Sequence, residues 1–349
     1  MRATNISLPD DLWERANILA IKHRISFAAY VRLALTAAVS GKFVEEITID
    51  QAIPPVVVQT CGNLINHRHS ALIYHLRPPD QARRPVQAVN AMTPLLRWCV
   101  QQRGVPRLLR AIARYSRSLR LVPIRDEYGI VYVDLRLASS VAVILGTRRD
   151  PVEEACLRAW LRPGDVAYDI GAHWGIMTTL CSRVVGPTGH VYAFEPNPAV
   201  LPNLLATAAH CGNVTLYPYA LSNEMGSRRL YVPSGDPSMA SLRDWTQGRW
   251  GPIQAVAVPV VRLDDLCLPV TPRLIKCDVE GHELAVFQGA TEMLSRQLAP
   301  VICWETNPEV NPQWLQTVFY LSGLAGPQYT VTVYQNHLAV ALPAWARHA

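Results

Sequence analysis

Hydrophobic and polar positions along this chain switch between two periods, and the switches mark its elements. Val166 to Ile170 reads as a strand running into Gly171, and from Thr178 to Val185 the apolar positions recur at helical spacing. His190 to Phe194 and Val214 to Tyr217 read as two more strands. A strand opening at Leu274, one from Pro300 to Trp304, and a hairpin of 328–333 with 337–341 follow. Upstream, Pro151 to Leu161 reads as a helix; Ile130 to Leu135 alternates like a strand, with Val141 to Leu145 expected to pair with it. Strands alternating with helices predict an α/β domain over 119–349 built on a mostly parallel sheet.

The front of the chain has another rhythm. Thr4 to Leu8 alternates as a short strand, Pro9-Asp10-Asp11 opens a helix, and Ser26 is a plausible cap for a second helix that ends at Gly41. Strand, helix, turn, helix over 1–42 resembles the ribbon-helix-helix family. That resemblance implies a homodimer through the paired strand and a DNA-reading face at Ala3, Asn5 and Ser7; dimerisation alone is the competing reading. Residues 43–118 form a basic linker punctuated by prolines, with helices expected over 64–76 and 95–119. Arg103, Arg107, Arg110, Arg114 and Arg117 would share one face, read as solvated or as contacting an acidic partner.

Charge sharpens this division. The net charge of +6 hides 21 basic against 10 acidic residues in 1–149, and 12 against 17 in 150–349. The eight cysteines contain no C-x-x-C pair, so free thiols in a reducing cytoplasm are expected rather than disulfides or a zinc site. No long uncharged apolar window or signal peptide is visible, so neither a membrane partner nor a metal is expected.

The candidate chemistry sits at strand ends. The turn Asp169-Ile-Gly-Ala-His-Trp-Gly175 joins a strand to a helix start, presenting free N–H groups and a positive dipole end beside a carboxylate. His173 stands where a dinucleotide turn wants glycine, which disfavours a nicotinamide cofactor and favours a ligand without pyrophosphate, S-adenosylmethionine. Glu195 lies 24 residues beyond Gly171, at the next strand's end, where an acid accepts ribose hydroxyls. Asn197-Pro198 reads as a helix start, and an adenine could lie near Tyr219 to Ser222. Lys276, Asp278 and Glu280 fall on one side of a strand, and Glu305 ends another. Crowded carboxylates raise a pKa or recruit a cation, for which Lys276, one of only three lysines, is the candidate.

In order, Asp169 to Gly175, Phe194-Glu-Pro-Asn-Pro198, Arg262-Leu-Asp-Asp-Leu266, Ile275 to Glu283 and Glu305 resemble the FkbM family of S-adenosylmethionine-dependent methyltransferases. The resemblance covers about residues 130–340 and implies a Rossmann-like seven-stranded class I methyltransferase sheet with a final antiparallel strand. It implies O-methylation of a hydroxyl on a sugar or natural product. By matching position, Asp169, Gly171 and Gly175 would hold the methionine end and Glu195 the ribose. Ala172, His173, Pro196, Asn197, Ala220 and Leu221 are the further cofactor-binding candidates. Asp278 and Glu280 would lie beside the methyl group as candidate bases, with His282 as runner-up. Trp174 is bulkier than this turn usually carries. The loop 233–251 is expected over the site, with Arg243, Trp245, Arg249 and Trp250 toward a sugar. The alternative reading is a DNA-binding regulator that senses S-adenosylmethionine without turnover.

Overall fold

The computed structural model describes residues 57–58, 74–75 and 93–348, apart from positions 103, 114, 116, 267, 335 and 336. The chain divides into two units, Met1–Val58 and Gln59–Ala349. Of the first, strand β1 (Val57–Val58) is described. The ribbon-helix-helix expectation over 1–42, with its dimer and DNA face, lies outside the described residues.

In the second unit, strand β2 (Tyr74–His75) occupies the end of the span expected to be helical over 64–76. A helical run over 93–101 and helix α1 (Val105–Ala113) replace the single helix expected over 95–119; Gly104, at φ +85°, breaks it. Strands β3 (Val122–Arg125) and β4 (Ile130–Val133) form an antiparallel pair. The expected partner of β4, residues 141–145, is instead in helix α2 (Ser139–Leu145). Its Val143 and Ile144 are buried beside Ile124 and Val131, so a helical face satisfies the apolar run.

Asp150 then caps helix α3 (Pro151–Trp160), accepting from the amides of Val152 and Glu153 at 2.7 and 3.1 Å. Alternation follows as expected: β5 (Val166–Ile170), helix α4 (Ile176–Val185), β6 (His190–Phe194), helix α5 (Leu201–Ala208), β7 (Val214–Tyr217). Strands β8 (Ala220–Leu221), β9 (Gly226–Pro233) and β10 (Ile253–Val261) make a separate small sheet. Strand β11 (Leu274–Cys277) leads through helices α6 (Glu283–Gln288) and α7 (Thr291–Leu294) to β12 (Val301–Glu305). Helix α8 (Trp314–Ser322) precedes the hairpin of β13 (Thr330–Val333) and β14 (Leu338–Leu342).

The main sheet of this unit runs β2-β7-β6-β5-β11-β12-β14-β13. Strands β7, β6, β5, β11 and β12 are mutually parallel, and β14 is antiparallel to both neighbours. The seven strands from β7 to β13 therefore form the mixed sheet expected from sequence. The chain winds one way from β5 through β6 to β7 and the other way from β11 to β12, which opens a crevice beyond the carboxyl ends of β5 and β11. Tyr168, Phe194, Tyr217, Ile275 and Trp304 lie in one core, and Val100, Ala113, Ile124, Val131, Ile144 and Trp174 in another.

Among the described residues, no helix is long and apolar enough to cross a membrane. The six described cysteines are free.

Candidate active site

Gly171 sets the geometry of the crevice. Its φ is +78°, and a Cβ there would lie 1.8 Å from the carbonyl oxygen of Asp278. The turn after β5 is thus pressed onto the end of β11, a contact only glycine permits. Gly175, at φ +86°, has a different reason: a Cβ would stand 2.9 Å from Leu204 and Thr207 on α5. It serves helix packing and lines none of the cavities described below. Trp174 is fully buried in the second core, pointing away from the crevice, so its bulk does not obstruct the turn. His173, at φ +48°, turns its backbone inward; its amide donates to Glu195 Oε2 at 2.8 Å.

Asp169 is wholly buried. The Thr178 hydroxyl donates to its Oδ2 at 2.6 Å, and Lys276 Nζ lies 3.3 Å from its Oδ1. Asp169 lines none of the cavities described below; Thr178 and Lys276 surround its carboxylate inside the protein. Lys276 Nζ also donates to the Gly171 carbonyl at 3.0 Å and sits 3.8 Å from Asp278. Burial alone would lower the lysine pKa, but Asp169, Asp278 and Glu153 outweigh it and the net shift is upward, so the ammonium is held charged. Lys276 ties the turn to β11.

Two surroundings share the crevice. On one side, Ile170, Phe194, Pro196, Tyr219, Ala220, Leu221, Leu242 and Val279 enclose a narrow apolar slot. Glu195 flanks it, buried, accepting from the amides of His173 and Asn197 at 2.8 Å each. Burial pushes its carboxyl up to about 7 while those two amides pull it down. Asn197 is a structural tie rather than a lining residue: its Nδ2 donates to the Pro237 carbonyl at 3.1 Å and its Oδ1 accepts from the Ala199 amide.

On the other side lies an open cleft, lined by Gly171, Ala172, His173, Lys276, Asp278, Glu280 and Glu305 together with Arg148, Asp150 and Glu153. One oxygen from each of Asp278, Glu280 and Glu305 lies within 4.8 Å of the others, close enough to gather around a cation or to share a proton. Burial first, and Asp278 second, push Glu305 up to about 9 and hold Glu280 well above the usual carboxylate range. Glu280 also carries a left-handed φ of +55°, which aims it into both the cleft and its extension toward Glu195.

His282 does not join these acids. It hydrogen-bonds Ser222 at 2.9 Å and lines the apolar slot, and burial lowers its pKa to about 4. A neutral imidazole on the far side cannot serve the acidic cleft. Glu283 is equally structural, accepting from the amides of Val279 and Gly281 in the last turn before α6.

The loop joining β9 and β10 does reach the crevice, with different residues from those expected. Met239 lines the acidic cleft, Ser238 and Ala240 its extension, and Leu242 the slot. Arg243 instead bonds the Gly281 carbonyl, Arg249 pairs with Glu309 at 3.1 Å, and Trp250 is exposed. Neither Trp245 nor those three line the cavities. Arg148, Asp150 and Glu153 escaped the sequence reading; the Asp150-Pro151 helix start was legible, but not that α3 begins at the cleft.

Residues 169–324 match the family model described as the methyltransferase FkbM domain, so the chain carries a methyltransferase domain. A hexuronic acid methyltransferase of Haloferax volcanii is 29% identical over 154 residues, 43% of this chain. The chain spans 59% of the length of that relative. Among solved structures, an S-adenosylmethionine-dependent O-methyltransferase from Thermotoga maritima aligns at 12% identity and a TM-score of 0.33, covering 64% of this chain and 86% of that one. A methyltransferase from Aquifex aeolicus aligns at 17% identity and a TM-score of 0.32, covering 55% and 92%.

Proposed function

We propose that the protein transfers a methyl group from S-adenosylmethionine to a hydroxyl oxygen of a sugar or related natural product. The observation that carries this reading is the convergence of Asp278, Glu280 and Glu305 on one cleft that opens beside the Gly171 turn. The methyltransferase domain match and the hexuronic acid methyltransferase relative support it.

The lining residues fit the cofactor. The slot around Phe194, Ala220 and Leu221 is apolar and narrow, suited to a flat base, and Glu195 beside it retains acceptor capacity for a ribose diol. Gly171, Ala172 and His173 line the passage from that side to the acids. Bound there, S-adenosylmethionine supplies a methyl group on a positively charged sulfur.

Glu280 is assigned as the base. Its raised pKa brings a carboxylate closer to the pH at which a hydroxyl proton can be accepted, and it faces both cavities. With that donor bound, the sulfur would keep the carbon–sulfur pair as the acceptor oxygen takes the methyl carbon, and Glu280 would take the proton that the hydroxyl gives up. Charge disappears in this step, so alignment of the acceptor contributes more than charge stabilisation. Arg148 lines the cleft, and no hydrogen bond or ion pair engages it among the described residues; it is available for an anionic group on the acceptor.

The test is incubation with methyl-labelled S-adenosylmethionine and a panel of hexoses, hexuronates and their glycosides, with products located by mass spectrometry. A methyl ether on a panel member is expected. Tight cofactor binding by calorimetry with no transfer to any member would favour a sensing role instead.

A further inference from the structure

The run 93–101 and helix α1 carry more apolar residues than the core covers. Their inner side, through Leu96, Val100, Leu109 and Ala113, packs with Val122, Ile124 and Val131 into the second core. Their outer edge presents Leu95, Trp98, Leu108 and Ile112, between 48% and 61% exposed, and Tyr115, just past the end of α1, is exposed as well. A surface helix normally buries its apolar arc, and apolar residues left exposed along the edge of that arc mark a place for a second partner. Leu108 and Ile112 fall at i and i+4 of α1, neighbours along one edge of the helix.

Charge says what that partner is. From residue 81 to 125 there are ten arginines, no lysine and no acid. Arg107 flanks the apolar stripe and is exposed, as are Arg120 and Arg125. Two copies of so basic a surface would repel if they met through it. Nucleic acid would use the arginines but offers little to the aliphatic Leu95, Leu108 and Ile112. Basic side chains bordering leucine, isoleucine and tryptophan suit an anionic lipid surface, where the apolar residues enter the acyl boundary and the guanidinium groups remain among headgroups. Arg97 also joins this region to the crevice: its Nε donates to the Ile144 carbonyl at 2.8 Å, four residues before Arg148 at the cleft.

We infer that the outer side of 93–101 and α1 is a docking surface for an anionic membrane, which it touches without crossing. The sequence expectation of no membrane partner rested on the absence of a span, and a peripheral contact is a separate matter. This inference does not depend on the reaction assigned to the crevice.

The test is co-sedimentation of the full chain with vesicles of phosphatidylglycerol and phosphatidylcholine, against phosphatidylcholine alone. Retention on the anionic vesicles, lost on raising NaCl from about 0.1 to about 0.5 M, is expected because the screening length falls to a few ångströms. Arg107→Ala should weaken binding about five-fold. The Leu108→Ser, Ile112→Ser pair should weaken it more than about ten-fold, since both side chains lose their buried apolar area. Because these positions are exposed, circular dichroism and S-adenosylhomocysteine binding should be unchanged, separating loss of docking from loss of fold. Three outcomes would overturn the inference: equal retention of the variants, no preference for anionic vesicles, or a dimer in sedimentation velocity that these substitutions break.

Discussion

Two groups of carboxylates occupy the same sheet edge in opposite surroundings. Glu195 and Glu283 are buried and each is held by two backbone amides. Among the described residues, no hydrogen bond reaches the carboxylates of Glu280 and Glu305, which face each other and Asp278 across the cleft. The first group is fixed by the chain around it and suits shape and recognition. The second is left to a proton, a cation or a substrate, and suits chemistry. An acid's position at a strand end thus does not decide its role; the donors around it do.

The largest way to break this contrast is at the hinge between the groups. Gly171→Ala places a Cβ on the Asp278 carbonyl and strains a positive φ. We expect more than about 4 kcal/mol of lost stability, at the exceptional end for single substitutions, with cofactor binding lost as well. A variant with near wild-type melting temperature would show that the turn and β11 are not in contact.

Substitutions on either side should then separate binding from turnover. Glu280→Gln keeps the size of the side chain but removes the base, and we expect kcat to fall about 10²- to 10⁴-fold with S-adenosylhomocysteine affinity retained in calorimetry. Unaltered turnover would remove Glu280 from the reaction. Glu195→Ala should give the opposite pattern, weakening cofactor affinity about 10²-fold through lost charge-assisted hydrogen bonds while kcat at saturating cofactor holds. If the two variants exchanged phenotypes, the contrast would be reversed.

The smallest expected effect is in pH dependence. The Glu305 carboxyl rises from an ordinary 4.5 to about 9, so the folded chain retains a proton that the unfolded chain releases. Stability from this group is present below about 4.5 and declines as pH rises toward 9. Glu305→Gln should flatten that decline in melting temperature measured between pH 5 and 9. An identical slope in both proteins would mean that Glu305 titrates normally.

Much of the sheet was legible because its strands are short apolar runs bounded by glycine and proline. His190–Phe194 and Val214–Tyr217 coincide with the residues expected. The run 141–145 misled because a buried apolar stretch satisfies a helix face as readily as a strand; its Ser-Ser start and closing Gly146, at φ +76°, belong to a helix. The acids at strand ends could likewise be counted in advance, but not sorted. Asp169 and Asp278 look alike in sequence, yet one is sealed against Thr178 and Lys276 and the other opens into the cleft.

What the chain's linear pattern settled was periodicity, turn chemistry and the order of elements, because these depend on neighbours a few positions apart. Tertiary contacts alone decided which carboxylates are supplied with donors, which side of β11 His282 serves, and that Arg148 and Glu153 reach the crevice. Those outcomes depend on groups brought together from distant parts of the chain, such as Lys276 with Gly171 and Arg148 with Glu305, and burial and hydrogen bonding there reset the chemistry of each group.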